Sequence, residues 1–231
     1  LITRLDYEPI ELLLHAETEV EQTLRAGAVK KEPETVEFIE SIPKGSAFYD
    51  VGANVGSYTL IACALGLQVV AFEPSAPNFI RLRENLALNS LEAFLVPDPL
   101  WDTTEVIEFV YSSRAAGSAL HSIGGEGTDR ERVLVHPLDW WVFHQREGLE
   151  KADAALPIPE YLKIDTDGYE DKVLQGAEKT LRTVKALQVE TDDTKPDVRQ
   201  RVYALLQDAG FTADKVSRHH EGPICNVLFV R

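Results

Sequence analysis

Phe48-Tyr49-Asp50-Val51-Gly52-Ala53-Asn54-Val55-Gly56-Ser57-Tyr58-Thr59, an apolar helical run, and then Val69-Val70-Ala71-Phe72-Glu73-Pro74 decide how the rest of this chain is read. The order is strand, glycine turn, helix, strand, with a carboxylate at the tip of the second strand. Gly52 and Gly56 let the backbone turn tightly and approach a ligand, and a helix starting near Gly56 presents free N–H groups to it. Glu73 follows the turn by about twenty residues, where a dinucleotide fold places the acid that takes ribose hydroxyls. The stretch therefore predicts a nucleoside site. It does not predict a dinucleotide site, because the third and sixth positions of that fingerprint, counted from Gly52, are Asn54 and Ser57 rather than glycine.

An aspartate at a strand end followed by Gly-Ala-Asn-Val-Gly resembles the first motif of class I methyltransferases that use S-adenosylmethionine. Added to Phe72-Glu73-Pro74, to Tyr161-Leu162-Lys163-Ile164-Asp165-Thr166-Asp167-Gly168-Tyr169-Glu170, and to Val173-Leu174 and Gly176-Ala177, it resembles the FkbM family of methyltransferases over roughly residues 45 to 231. Smaller signals at Pro77-Asn78, Asn85, Leu138-Asp139, Val189-Glu190 and Gly210-Phe211 continue the match. The resemblance implies an α/β Rossmann-like class I fold with a mostly parallel central sheet flanked by helices. It also implies S-adenosylmethionine as methyl donor, S-adenosylhomocysteine as product, and a hydroxyl on a small molecule or carbohydrate as acceptor. Methylation at nitrogen, or a scaffold that binds the cofactor without turnover, are the alternatives, since fold alone does not fix function.

With 231 residues the chain suits one large domain, expected over 46–231, preceded by an N-terminal helical extension over 1–45. A net charge of −15 argues against nucleic acid as substrate, which is held by clustered Lys and Arg. Two cysteines, Cys63 and Cys225, make no disulfide framework and fit a reducing compartment, so a cytoplasmic location is expected. No run is long enough for a membrane span. The sequence starts at Leu1 without a methionine, which leaves an upstream leader open.

Residues 8 to 41 carry Ile10, Leu13, Leu14, Val20 and Leu24 at helical spacing, which predicts one or two amphipathic helices. They would pack on the sheet edge, pair two copies in a homo-oligomer, or cover the acceptor site. From residue 47 strands and helices alternate with short connections, as in a parallel sheet covered on both faces. Ligands in such sheets lie at the carboxyl ends of the strands, which places Asp50, Glu73, Asp98 and Asp165 along one rim. Residues 98 to 140 break the rhythm. A long loop from Ser112 to Arg132 is the place to look for acceptor contacts, with Ser118 and His121 as polar candidates and His121 as a possible base.

For the cofactor, Gly52 and Gly56 allow main-chain contact, Asp50 and Asn54 are expected to orient the methionyl end, and Glu73 to accept both ribose hydroxyls. Asp98 stands where related enzymes touch adenine, although Pro97-Asp98-Pro99-Leu100-Trp101 departs from the small residues usual there. For catalysis, Lys163 and Asp165 share a strand face beside the cofactor, Lys163 is expected to pair with Asp165 or with Glu190 on the neighbouring strand, and Asp165 is placed nearest the chemistry. Asp167 and Glu170 suit either a metal, together with Asp165, or a helix cap in which Glu170 reaches back. The cap is preferred, so no metal is expected.

Overall fold

The computed structural model describes residues 1–144, 155–218 and 222–231. In chain order the elements are β1 (Ile2–Arg4), β2 (Leu13–His15), a π-helical turn (Glu21–Arg25), α1 (Ala28–Lys31), α2 (Pro33–Ser41), β3 (Ala47–Val51), α3 (Ser57–Ala64), β4 (Gln68–Phe72) and α4 (Ala76–Leu88). Then come β5 (Phe94–Val96), β6 (Glu105–Val110), β7 (Ser122–Ile123), β8 (Arg130–Val135), α5 (Leu138–Phe143), β9 (Tyr161–Ile164), α6 (Glu170–Gln175), β10 (Ala186–Asp192), α7 (Pro196–Asp208), β11 (Thr212–Arg218) and β12 (Ile224–Val230).

The main sheet runs β11-β12-β10-β9-β3-β4-β5. The pairs from β10 through β9, β3 and β4 to β5 are parallel, and β12 pairs antiparallel with both β10 and β11. β3 is buried at all five positions, as a central strand covered on both faces must be. Its side chains alternate between two cores. Tyr49 and Val51 join Phe72, Leu162 and Ile164 on the face covered by α5, α6 and α7, and Phe48 packs with Ile39, Ile61 and Leu82 on the other. The chain leaves β3 toward β4 on one side and returns as β9 on the other, so strand order reverses at β3 and a crevice opens there.

The first 45 residues differ from expectation. Leu12, Leu14 and Ala16 are all at most 2 % exposed, a period of two, and β1 and β2 form an antiparallel hairpin where helix was expected. The side-chain amides of Asn85 and Asn89 on α4 bond the hairpin's open edge, at His15 N–H and at Leu13 N–H and C=O. Regular helix begins only at Ala28, and Leu24, expected on the buried face, is exposed. The hairpin's Leu5, Tyr7, Leu12 and Leu14 share a core with Phe48 and Leu82.

A three-stranded sheet, β7-β6-β8, interrupts the alternation, and its short strand β7 lies in the stretch expected as a long loop. The helix after β9, α6, ends at Gln175. A side chain at Gly176 would meet the Trp101 carbonyl at 2.1 Å, and the Asp139 carboxylate takes the N–H groups of Lys179 and Thr180 for a separate 3₁₀ turn. Among the described residues no helix is long and apolar enough to cross a membrane.

Candidate functional site

A cavity of about 260 Å³ lies at the carboxyl ends of β3, β4, β9 and β10. Its floor is the glycine turn. Gly52 has φ +84°, and a Cβ there would fall 1.8 Å from the Asp165 carbonyl oxygen, so only glycine fits between β3 and the end of β9. The Gly52 and Ala53 N–H groups both donate to the Phe72 carbonyl at 3.0 Å, which ties the turn to β4.

Glu73 is 4 % exposed, with Oε2 accepting the Asn54 N–H at 2.7 Å and Oε1 the Ser75 N–H at 2.8 Å. The Asn78 side chain adds a third hydrogen bond to the carboxylate, and the residue lines the cavity. Burial pushes its carboxyl up to about 7 against the opposing pull of those N–H groups.

Of the other expected cofactor residues, Gly52, Asn54 and Asp98 line the cavity, while Asp50 and Gly56 stand behind its wall. Asp50 is wholly buried: Oδ2 accepts the Thr59 hydroxyl at 2.6 Å and Oδ1 lies 3.8 Å from Lys163 Nζ. Gly56, at φ +92°, faces Leu82 instead of the opening. The Asn54 side chain is spent on structure, its Nδ2 donating to the Ser118 carbonyl and its Oδ1 accepting the Val55 N–H. Asp98 is half-buried, and burial raises its carboxyl while His136 pulls it down.

Lys163 and Asp165 are brought together as expected from their shared strand face, Nζ to Oδ2 at 2.9 Å. Lys163 is 2 % exposed. Burial disfavours its charge, but Asp165, Asp50 and Glu32 hold the ammonium above the usual lysine range. Burial likewise opposes the Asp165 carboxylate, and Lys163 outweighs it, so Asp165 stays ionised below the usual range. Glu190, beside Asp165 on the neighbouring strand β10, is pushed up to about 10 by burial and by the nearby Asp165 and Glu32 carboxylates.

The roof combines the strap that carries Ser118 and His121 with residues the sequence did not single out as site residues. Arg25 donates from Nε and Nη2 to the Gly117 carbonyl, and Thr18 Oγ1 to the Ala116 carbonyl. The Asn78 amide bridges Gly117 and Ser118, accepting the Gly117 N–H and donating to the Ser118 carbonyl. Leu120 N–H donates to Asp167 Oδ2, and Ile123 N–H to the Tyr169 hydroxyl. A strap over 116–123 is thus held across the opening from both sides. Asn78 had a usable signal, an amide in the first turn of the helix after the acidic strand end. Arg25, Lys31 and Glu32 had none, since their places depend on a segment whose local structure the pattern misreads.

The Asp167–Glu170 cap is also corrected. Asp167 has φ +58° and bonds the roof, and Tyr169 precedes α6. Glu170 Oε1 collects the Thr166 N–H, the Gly168 N–H and the Thr166 hydroxyl. With the carboxylates committed in different directions, turnover measured in EDTA should equal that in buffer. Loss restored by Mg²⁺ would reinstate a metal that orients the acceptor.

Residues 50–213 match the family model described as the methyltransferase FkbM domain. Over 173 residues the chain is 27 % identical to the hexuronic acid methyltransferase AglP of Haloferax volcanii, covering 74 % of this chain and 66 % of that protein's length. Its fold is similar to magnesium protoporphyrin IX methyltransferase (ChlM) from Synechocystis PCC 6803 with bound SAM, at a TM-score of 0.54 and 10 % identity, covering 94 % of this chain and 86 % of that one. A SAM dependent methyltransferase from Aquifex aeolicus superposes with a TM-score of 0.51 at 13 % identity, over 94 % and 98 % of the two chains. The architecture is that of the class I methyltransferases.

Proposed function

This chain belongs to the methyltransferases that carry an FkbM domain, and from that premise we propose that it transfers the methyl group of S-adenosylmethionine to a hydroxyl of a small molecule or sugar. The observation that carries the cofactor reading is Glu73. A buried carboxylate at the tip of β4, oriented by the Asn54 and Ser75 N–H groups and lining the cavity, stands where a nucleoside fold accepts the ribose hydroxyls. The bare Cα of Gly52 beside it leaves the room a nucleoside needs. Bound there, S-adenosylmethionine supplies a methyl carbon made electrophilic by its sulfonium. The walls suit such a cation, with carboxyl groups at Glu32, Glu73, Asp98, Asp165 and Asp167 against Arg25, Lys31 and Lys163.

Asp165 is the proposed acceptor of the substrate hydroxyl's proton, and Lys163 holds it ionised and aimed. A carbohydrate acceptor is supported by the similarity to a hexuronic acid methyltransferase. The direct test supplies methyl-labelled cofactor with a panel of sugars, sugar acids, other hydroxyl compounds and amines, and locates the label by mass spectrometry. Label on oxygen is expected. Label on an amine nitrogen would redirect the reading, and cofactor binding with no turnover on any acceptor would make the chain a scaffold.

Cofactor affinity should depend on pH through Glu73. The hydroxyls donate to its ionised form, so binding below about 7 must first expel a proton, and affinity should fall by up to about tenfold per pH unit there. Calorimetry from about pH 6 to 8 reads this. Glu73→Ala should bind weakly and without the slope, having lost two charge-assisted hydrogen bonds of roughly 1.5–3 kcal/mol each before water replaces them. A folded Glu73→Ala with unchanged affinity would move the ribose elsewhere.

A further inference from the structure

His121 is a fixed element of the cavity whose hydrogen bonding excludes the role of base. Its neighbours on the strap are tied down, Leu120 N–H to Asp167 and Ile123 N–H to Tyr169, and Leu120 is 76 % exposed while His121 turns inward to line the cavity. The ring is held at 5.5 Å from Phe109 and 5.4 Å from Tyr111, centroid to centroid. Its Nδ1 receives the backbone N–H of Ser112 at 3.2 Å. The Ser112 hydroxyl, 3.3 Å from Nδ1, gives its own proton to the Ala119 carbonyl at 2.5 Å.

A backbone N–H only donates, so Nδ1 keeps its lone pair and the neutral ring carries its proton on Nε2. Burial lowers the imidazole's affinity for a second proton and keeps the ring neutral. Nε2 is shielded from solvent and has no hydrogen-bond partner among the described residues. An N–H held dry and unpaired is unfavourable until a ligand atom accepts from it. The lining of the same cavity also includes apolar Pro74, Pro99, Leu100, Phe109 and Ile123, with the Asp98 carboxylate as an acceptor. One donor and one acceptor over apolar surface complement a flat heterocycle that carries an exocyclic amine and an unprotonated ring nitrogen.

We propose that His121 is a specificity residue for the cofactor's adenine, its Nε2–H donating to a ring nitrogen while Asp98 accepts from the amino group. This rests on the cofactor reading above. It replaces the catalytic role expected for His121 from sequence and leaves proton removal to Asp165.

Long-range ¹H–¹⁵N correlation spectra of histidine-labelled protein read the tautomer without any ligand. A proton on Nε2 is expected, and a proton on Nδ1 would overturn the proposal. Calorimetry with S-adenosylhomocysteine then compares the unaltered protein with His121→Gln, whose amide nitrogen can replace Nε2, and with His121→Phe, which keeps the ring and loses the donor. Affinity should drop about 3- to 10-fold in His121→Phe and about twofold at most in His121→Gln. The unaltered protein should also discriminate against S-inosylhomocysteine, whose ring nitrogen is protonated, more strongly than His121→Phe does. Equal affinities for S-adenosylhomocysteine, or a loss confined to the acceptor's KM or kcat, would overturn the proposal while leaving the cofactor reading standing. Failure of the unaltered protein to bind S-adenosylhomocysteine would overturn both.

Discussion

Asp165→Asn is expected to bind the cofactor as the unaltered protein does and to turn over roughly 10²–10⁴-fold more slowly, the usual loss when a general base is removed. The substitution keeps the shape beside Lys163 Nζ, 2.9 Å away, but an amide cannot take up the hydroxyl's proton. Lys163→Met should slow turnover as well, because the Asp165 carboxylate loses the cation that holds it ionised. It carries a second penalty. Asp50 Oδ1 sits 3.8 Å from the same Nζ without a hydrogen-bond partner among the described residues, so removing the lysine leaves buried carboxylates uncompensated, a defect worth about 3–5 kcal/mol. The double variant should lose little more turnover than the slower single one, since the two side chains act as a unit. Turnover, calorimetry with S-adenosylhomocysteine and urea unfolding on the same preparations separate these effects. Near-normal turnover in Asp165→Asn would reduce the pair to a structural ion pair and move proton removal to another group.

Gly52→Ala should be the most damaging single methyl in the chain. At φ +84° an L-residue costs roughly 1–2 kcal/mol in backbone strain. The added carbon would also stand 1.8 Å from the Asp165 carbonyl oxygen, a backbone atom that no rotamer change can move aside. Relieving that overlap means prising β3 from β9, the two strands flanking the crevice, and overpacking of this kind typically adds about 1–3 kcal/mol. A lower melting temperature together with loss of S-adenosylhomocysteine binding is expected. Gly45→Ala is the control, having φ +86° with nothing within 4 Å of the added carbon, and should show only the backbone part. Equal effects at the two glycines would mean the contact with Asp165 is unimportant.

What the sequence made legible was whatever depends on neighbours along the chain. The glycine turn, the strand of Glu73 and the strand shared by Lys163 and Asp165 each read correctly because period, turn chemistry and family motif agree over short spans. β4 takes in Val69-Val70-Ala71-Phe72, the run read as the second strand. The N-terminal segment misled because Leu13, Leu14, Val20 and Leu24 also satisfy a helical spacing, while the decisive signal, Leu12-Leu14-Ala16, is a period of two over only five residues. Asp50 illustrates a different limit. Its position at a strand end was right, but the choice between facing the ligand and facing Thr59 lies in the packing of α3 behind it. Asp167 and Glu170 matched a cap by spacing, and backbone conformation assigned them other partners.

The Ser118 carbonyl, which accepts from both Asn54 and Asn78, joins pieces of chain that are far apart: Asn54 and Asn78 stand 64 and 40 residues away, and the neighbouring Gly117 is held by Arg25 from 92. Asn54 and Asn78 reach that carbonyl only once β3, β4 and α4 have packed and placed them, so the vessel for the reaction is among the last things a refolding chain completes. A molecule with its sheet formed and its strap undocked has the look of the native state without its capacity to work. Recovery of ligand binding, followed in time, therefore dates the end of assembly, and recovery of secondary structure dates only its middle.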